Sequence, residues 1–295
     1  MNHLVIPLKD GRKLGYVEYG DPSGIPVMFF HGTPGSRLLF PDDDPISAHM
    51  GVRLISLDRP GFGLSDPKPG RTLLDWTDDV IQAADNLGLE KFSVIGVSGG
   101  GAYAAACGYL LPNRLHSATM VSSIAPFLNG KPPEEMMRRN RIAFYMSKKW
   151  PGVLKSIYRA QKKLMMQRPE AFLRQLQKDG QRMNKWDRQF LQTDEQLRTA
   201  MMHLNEAMRV SVDECATEPA LIARPWGFSG GDIQCPVYIW HGEIDTMAPA
   251  SEIKHFADSI PDCKTHFIPE AGHFLFDDEN LWKAILGTML QQVQR

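Results

Sequence analysis

The stretch Gly96-Val97-Ser98-Gly99-Gly100-Gly101-Ala102-Tyr103-Ala104 decides how this 295-residue chain is read. It follows Phe92-Ser93-Val94-Ile95, an apolar run with the look of a strand. It leads into Tyr103-Ala104-Ala105-Ala106-Cys107, which has the look of a helix. Two chemistries claim such a strand–turn–helix. Gly96-x-Ser98-x-Gly100 is the spacing that lifts a serine onto a tight, exposed turn. Gly99-x-Gly101-x-x-Ala104 is the spacing that lets a dinucleotide pyrophosphate approach a helix N-terminus.

The residues downstream separate the two. A dinucleotide site needs an acidic residue about 20 positions on, for the ribose hydroxyls. No Asp or Glu lies between Gly99 and Glu134, and the next strand, 117–122, ends without one. Several strands also precede these glycines, whereas a dinucleotide loop usually follows the first. A serine, by contrast, needs a base to take its proton and an acid to orient that base. With this elbow the chain order is Ser, then Asp or Glu, then His. Val237-Tyr238-Ile239-Trp240 reads as a strand and runs into His241-Gly242-Glu243-Ile244-Asp245. Phe267-Ile268-Pro269-Glu270-Ala271-Gly272-His273 places a histidine after the last strand. Asp245 is preferred to Glu243, which lies nearer the strand end. His255, in a helical pattern, and His266, inside a strand, read as structural. The oxyanion formed on attack needs two backbone donors. Gly99 N–H follows the nucleophile, and the loop His31-Gly32-Thr33-Pro34-Gly35-Ser36 supplies the second through Thr33, since Pro34 has no N–H.

The remainder of the chain fits an α/β architecture. Strand runs 4–8 and 14–19 flank the turn signal Asp10-Gly11. Pro26-Val27-Met28-Phe29-Phe30 is continuously apolar, as a buried parallel strand requires. Residues 52–57 read as a strand, 73–87 as a helix stopped by Gly88, and 99–111 as a helix ended by Pro112. From 131 to 224 no convincing strand appears. Pro151 reads as a first-turn proline, and Thr193-Asp194-Glu195-Gln196 as a capping box. Alternation returns at Cys235, with a strand at 265–268 and helices at 250–259 and 281–293. Alternating strands and helices imply a mostly parallel sheet covered on both faces. The expected division is a core of 1–128 and 228–295 with a helical cap of 129–227. That cap carries 19 Lys and Arg against 11 Asp and Glu, the remainder 14 against 23, and it holds nine of the 15 Met.

Composition narrows the classes. Hydrophobic residues make up 43% and charged residues 23%, ordinary for a globular chain. A net charge of −1 gives no global pull toward nucleic acid or acidic membranes. Cys107, Cys215, Cys235 and Cys263 lack metal spacing and read as reduced thiols of a cytoplasmic protein. Met1 to Asp10 shows no signal-peptide pattern, and no run reaches the ~18 apolar residues of a membrane span.

Taken together, His31-Gly32-Thr33-Pro34-Gly35, Asp58-Arg59-Pro60-Gly61-Phe62-Gly63-Leu64-Ser65, the Gly96–Gly100 elbow, Gly242-x-x-Asp245 and Gly272-His273 resemble the α/β-hydrolase superfamily over essentially the full chain. The resemblance implies that Ser98 is the nucleophile, His273 the base and Asp245 its orienting acid, with no metal and no cofactor. It implies a serine esterase acting on a small-molecule substrate through an acyl-enzyme. Serine at the elbow argues against the haloalkane dehalogenases and epoxide hydrolases of the superfamily, which use aspartate there. The His-Gly-Thr-Pro-Gly loop is similar to that of proline iminopeptidases but departs at Thr33, and Gly99 stands where their elbow usually carries a bulky residue. Those enzymes hold a substrate amine with cap carboxylates, a role open to Glu214 and Glu218. Iminopeptidase activity, carbon–carbon bond hydrolysis and a triad-bearing small-molecule receptor therefore stand as alternatives. Gly32 and Trp226 are the expected substrate-lining residues, with Trp226 equally readable as core.

Overall fold

The structure, a computed structural model, describes residues 4–40 and 44–293; the first three residues of the amino-terminal stretch read above lie outside it. Eight strands form one sheet: β1 (Leu4–Pro7), β2 (Lys13–Gly20), β3 (Ile25–Phe30), β4 (Val52–Leu57), β5 (Phe92–Val97), β6 (Leu115–Val121), β7 (Val237–Gly242) and β8 (Cys263–Ile268). Their order is β1-β2-β4-β3-β5-β6-β7-β8. β1 and β2 are antiparallel to their neighbours, and every pairing from β4 to β8 is parallel. The turn between β1 and β2 closes at Gly11, whose φ of +86° is left-handed backbone that glycine adopts without steric cost.

Strand alternation sorts the core onto two faces. Met28, Phe30, Ile55 and Leu57 point to one face. They belong to a core covered by α2 (Trp76–Asn86), α3 (Gly99–Leu110) and, over β7 and β8, α10 (Ala250–Asp258). Val27, Phe29, Val52 and Leu54 point to the other, against α11 (Glu279–Val293), with α1 (Pro45–His49) beside it. The central strands are apolar on both sides because both sides are covered. The expected α/β-hydrolase architecture is thus present.

Between β6 and β7 the chain is helical: α4 (Arg138–Lys149), α5 (Pro151–Gln167), α6 (Pro169–Gly180), α7 (Lys185–Arg188), α8 (Asp194–Ala207) and α9 (Asp213–Ala223). Pro151 occupies the first turn of α5, and the Thr193–Gln196 capping box opens α8 as the spacing predicts. This segment has its own small core of Met165, Phe172, Met208, Val212 and Cys215, which closes over Phe62 of the sheet side. The helix expected from residue 73 begins at Trp76. Leu73 and Leu74 instead accept from the Trp76 and Thr77 amides in the turn that precedes it. No helix among the described residues is long and apolar enough to cross a membrane. The four cysteines are unpaired thiols.

Candidate active site

The parallel strands β3, β5, β7 and β8 point the same way, so the loops that leave their carboxyl ends share one edge of the sheet. That edge is where open α/β sheets carry their chemistry. The register puts Phe30 beside Gly96, Val121 beside Trp240 and Gly242 beside Ile268, so the four loops emerge at one level.

Ser98 sits between β5 and α3 with φ +55° and ψ −120°, a conformation that non-glycine residues adopt only when the surroundings enforce it. The enforcement is visible. Ser98 N–H donates to Val121 O at 2.9 Å, and Ser98 O accepts from the Gly101 and Ile124 amides at 3.1 and 3.2 Å. A Cβ at residue 96 would strike the Gly100 carbonyl, and one at residue 100 the Phe30 carbonyl. Ser98 is half-buried, and its Oγ has no hydrogen-bond partner among the described residues.

Asp245 follows β7 and His273 follows β8, and the two side chains meet at 2.7 Å between Asp245 Oδ2 and His273 Nδ1. Asp245 Oδ1 accepts from the Met247 and Ala248 amides at 2.7 and 2.9 Å, which fixes the carboxylate. Burial alone would lower the His273 pKa. The Asp245 charge and hydrogen bond, joined by the charges of Asp187 and Asp277, outweigh it and raise the imidazole above the ordinary value. The rival residues lie elsewhere. Glu243 is exposed and pairs with Lys254 at 3.3 Å, His266 stacks on Trp240 at 4.0 Å, and His255 belongs to the last turn of α10.

The helical segment reaches this pair through α7, which the sequence reading did not single out. Asp187 Oδ1 accepts from the His273 and Phe274 amides at 2.6 and 3.1 Å. Asn184 caps α7, accepting from the Asp187 amide at 2.8 Å. Its Nδ2 donates to Asp187 Oδ2 at 2.7 Å and to Ile244 O at 3.1 Å. One short helix therefore braces both the Asp245 loop and the His273 loop. Burial pushes the Asp187 carboxyl above its ordinary pKa, though His273 and the two amides oppose it. Gly272 is needed for the approach: a Cβ there would lie 2.5 Å from Asp187 Oδ2.

The loop after β3 is braced by α9. Glu218 is buried, and all its oxygens are engaged. Oε2 accepts from Thr33 Oγ1 at 2.6 Å and from Arg59 at 2.8 Å. Oε1 accepts from Arg59 Nε at 3.0 Å, Arg71 at 3.1 Å and Tyr103 OH at 2.7 Å. Burial alone would raise the Glu218 carboxyl, but Arg59 first, then Arg71 and Thr33, hold it well below the usual range. Arg59 also donates to the carbonyls of His31 and Gly32, and Arg71 to Glu214 at 2.7 Å. Glu218 is thus no solvated charge on a helix surface but the centre of a buried ion cluster.

Thr33 and Gly99, the two departures from the iminopeptidase pattern, turn out to be one feature. A Cβ on residue 99 would collide with Thr33 Oγ1, so the threonine side chain fills the space that a larger residue 99 would take. The Thr33 and Gly99 amides donate no hydrogen bond among the described residues. Gly32 lies against the elbow, with a Cβ there 3.3 Å from Ser98 Cβ. Trp226 proves to be core. It is buried, donates from Nε1 to Ile222 O at 2.8 Å and packs edge-on against Phe256 at 4.9 Å. Its indole is satisfied internally, so the substrate-lining expectation for it is withdrawn. No cluster of three or more His, Cys, Asp or Glu suited to a metal occurs among the described residues.

The chain belongs to the alpha/beta hydrolase fold family, whose description matches residues 25–280. It is 32% identical over 125 residues to the non-heme chloroperoxidase of Streptomyces lividans, covering 42% of this chain and 45% of that one. It is 24% identical over 298 residues to bifunctional epoxide hydrolase 2 of Sus scrofa, covering 93% and 52%. The matches thus span about half the length of these relatives. Among solved structures it is similar to the esterase RhEst1 from Rhodococcus sp. ECU1013, with 20% identity, a TM-score of 0.69 and 99% of each chain covered. At that identity the likeness is one of fold.

Proposed function

We propose that this protein is a serine hydrolase that cleaves a carboxylic ester of a small molecule through an acyl-enzyme. The observation that carries the reading is that a serine held at positive φ and a buried Asp245–His273 pair stand on loops leaving the same sheet edge. Ser98 Oγ attacks the ester carbonyl and passes its proton to His273 Nε2. The Thr33 and Gly99 amides hold the resulting oxyanion, each such donor supplying about 3 kcal/mol of transition-state stabilisation. The intermediate collapses and expels the alcohol, which takes the proton from His273. Water then attacks the acyl-enzyme with His273 as base, releasing the acid and restoring Ser98. Asp245 keeps the Nδ1–H tautomer and offsets the imidazolium charge throughout. The core is 1–128 with 228–295, and 129–227 is the cap over the site.

Ester rather than prolyl substrates are favoured because Glu218 has both oxygens engaged by Arg59, Arg71, Thr33 and Tyr103, and Glu214 is already charge-paired with Arg71, leaving neither as an uncompensated anion for a substrate amine. The test is fluorophosphonate labelling of the purified protein with the modified residue mapped by mass spectrometry. Label on Ser98, lost in Ser98→Ala and in His273→Ala while both variants stay folded, is the expected result. A folded wild type that takes no label, or label on another residue, refutes the assignment. Multiple turnovers of a short acyl ester distinguish an enzyme from a receptor that retains the triad.

A further inference from the structure

The helical segment presents one surface that the site does not use. From Arg138 to Arg168, across α4 and α5, the chain carries ten Lys and Arg and no Asp or Glu. Of these ten, Arg139, Lys155 and Arg159 are the ones that form ion pairs among the described residues, with Asp179 and Asp213. The same helices expose large apolar side chains: Ile142 at 47%, Tyr145 at 51%, Trp150 at 56%, Val153 at 53% and Ile157 at 43%. These are contiguous. Ile142 and Tyr145 are one turn apart on α4, and the Tyr145 ring meets the Trp150 ring edge-on at 5.5 Å. Val153 and Ile157 then continue at helical spacing along α5. On a helical wheel Arg138 and Lys149 fall between Tyr145 and Ile142, with Arg141 and Lys148 at the flank. All four cations are exposed. The buried side of the pair faces inward through Ser147, Leu154 and Met165.

Exposed apolar surface ringed by one sign of charge asks for a partner that supplies both an apolar phase and anions. A nucleic acid offers phosphates but nothing for Ile142, Val153 and Ile157. A second copy of this face would set cation against cation. An anionic bilayer surface offers both, and basic helices with Trp and aliphatic side chains beside the cations lie flat in such an interface. We propose that the α4–α5 face docks the protein on anionic lipid membranes, with Tyr145, Trp150, Val153 and Ile157 entering the headgroup boundary and the Lys and Arg side chains meeting lipid phosphates and carboxylates. The α5 helix, about 25 Å long, lies in the membrane plane. The docking is independent of the hydrolase reading and needs no membrane-spanning segment.

The test is co-sedimentation of the full chain with vesicles of phosphatidylcholine alone, or with about a third phosphatidylserine. Binding is expected to the mixed vesicles, to weaken as salt rises, and to be near background on pure phosphatidylcholine. Lys148→Ala with Lys149→Ala lowers the partition coefficient about 30-fold. Trp150→Ser with Val153→Ser lowers it at least about tenfold. Both pairs are surface changes, so an unchanged thermal melt accompanies the loss. No pelleting with phosphatidylserine vesicles at low salt overturns the proposal. So does wild-type binding by the Trp150/Val153 variant, tighter binding to duplex DNA than to vesicles, or a dimer in solution that the Trp150/Val153 variant dissolves.

Discussion

Replacing Glu218 with glutamine isolates what the buried ion cluster does. The swap keeps the shape and removes the charge. Each carboxylate oxygen faces at least two donors: Thr33 and Arg59 on Oε2, and Arg59, Arg71 and Tyr103 on Oε1. Whichever oxygen becomes the amide NH2 therefore meets donors head-on, and Arg59 is left without an anionic partner. Arg71 keeps Glu214. Breaking a buried pair from one side typically costs 3–5 kcal/mol. With Arg71 still paired, the expected loss is about 3 kcal/mol at pH 7. Urea denaturation of wild type and variant side by side gives the difference. The sign of its pH dependence follows from the depressed Glu218 pKa. The stability that the charge contributes is complete above the unfolded value near 4.5 and is lost as pH falls below it toward the folded value. The gap between wild type and variant is thus flat above about pH 6 and shrinks by at most about 1.4 kcal/mol per pH unit under acid. A variant within about 0.5 kcal/mol of wild type at pH 7 refutes the reasoning, as does a gap that widens on acidification.

Asp187→Ala removes the acceptor for the His273 and Phe274 amides; kcat for an ester is expected to fall about 10- to 100-fold with KM little changed. Asp187→Asn keeps the Oδ1 acceptor for both amides but sets its NH2 against Asn184 Nδ2, so it should recover only part of the loss, and a loss in kcat equal to that of Asp187→Ala would speak against a positioning role. Gly99→Ala places a methyl against Thr33 Oγ1 and should cut labelling of Ser98, whereas adding Thr33→Gly should relieve it. A coupling energy of about 1–3 kcal/mol in that double-mutant cycle is expected, and strict additivity would refute the contact. Because Asp245 raises the His273 pKa, kcat/KM should rise with pH along an acid limb centred above 6.5, as the neutral imidazole required of a base appears. Asp245→Asn should move that limb down and lower kcat by about 10⁴. A limb that does not move would detach it from the Asp245–His273 pair.

What the sequence disclosed is local. Gly96-x-Ser98-x-Gly100 is legible because the turn itself demands glycine where carbonyls pass within contact. Asp245 and His273 are legible because each stands just past a strand whose apolar run marks it. The sheet follows from those runs, and the Thr193 box from its own four residues. The bracing contacts fall outside this. Thr33 and Glu218 are 185 positions apart, and Asp187 and His273 are 86 apart. Asp187 and Glu218 sit on short helices in a segment rich in charge, where a carboxylate in solvent and a carboxylate in an ion cluster have the same letter. The signals that existed were indirect. Gly272 beside His273 admits the Asp187 side chain, and Thr33 paired with Gly99 marks a volume exchanged across the loop. An Asn-x-x-Asp spacing at 184–187 also opens a helix with a capping side chain.

These contacts change how the helical segment relates to the sheet. A lid that merely covered a pocket would touch the loops through apolar surface and could be exchanged without consequence for the pair beneath. Here α7 takes the backbone amide of His273 itself and, through Asn184, the carbonyl next to Asp245, while α9 takes the hydroxyl of Thr33. The residues proposed for proton transfer and for oxyanion binding are thereby each tied to a different helix of the same segment. Movement of α7 against α9 would shift His273 relative to the Thr33 amide, and errors of about 1 Å at a reacting centre cost on the order of 10²-fold in rate. The small core around Phe62, with Met165, Phe172 and Cys215, packs α9 against α5 and α6, while α7 is held separately through Trp186 on the core beneath α11, so the relative placement of the two helices depends on both cores.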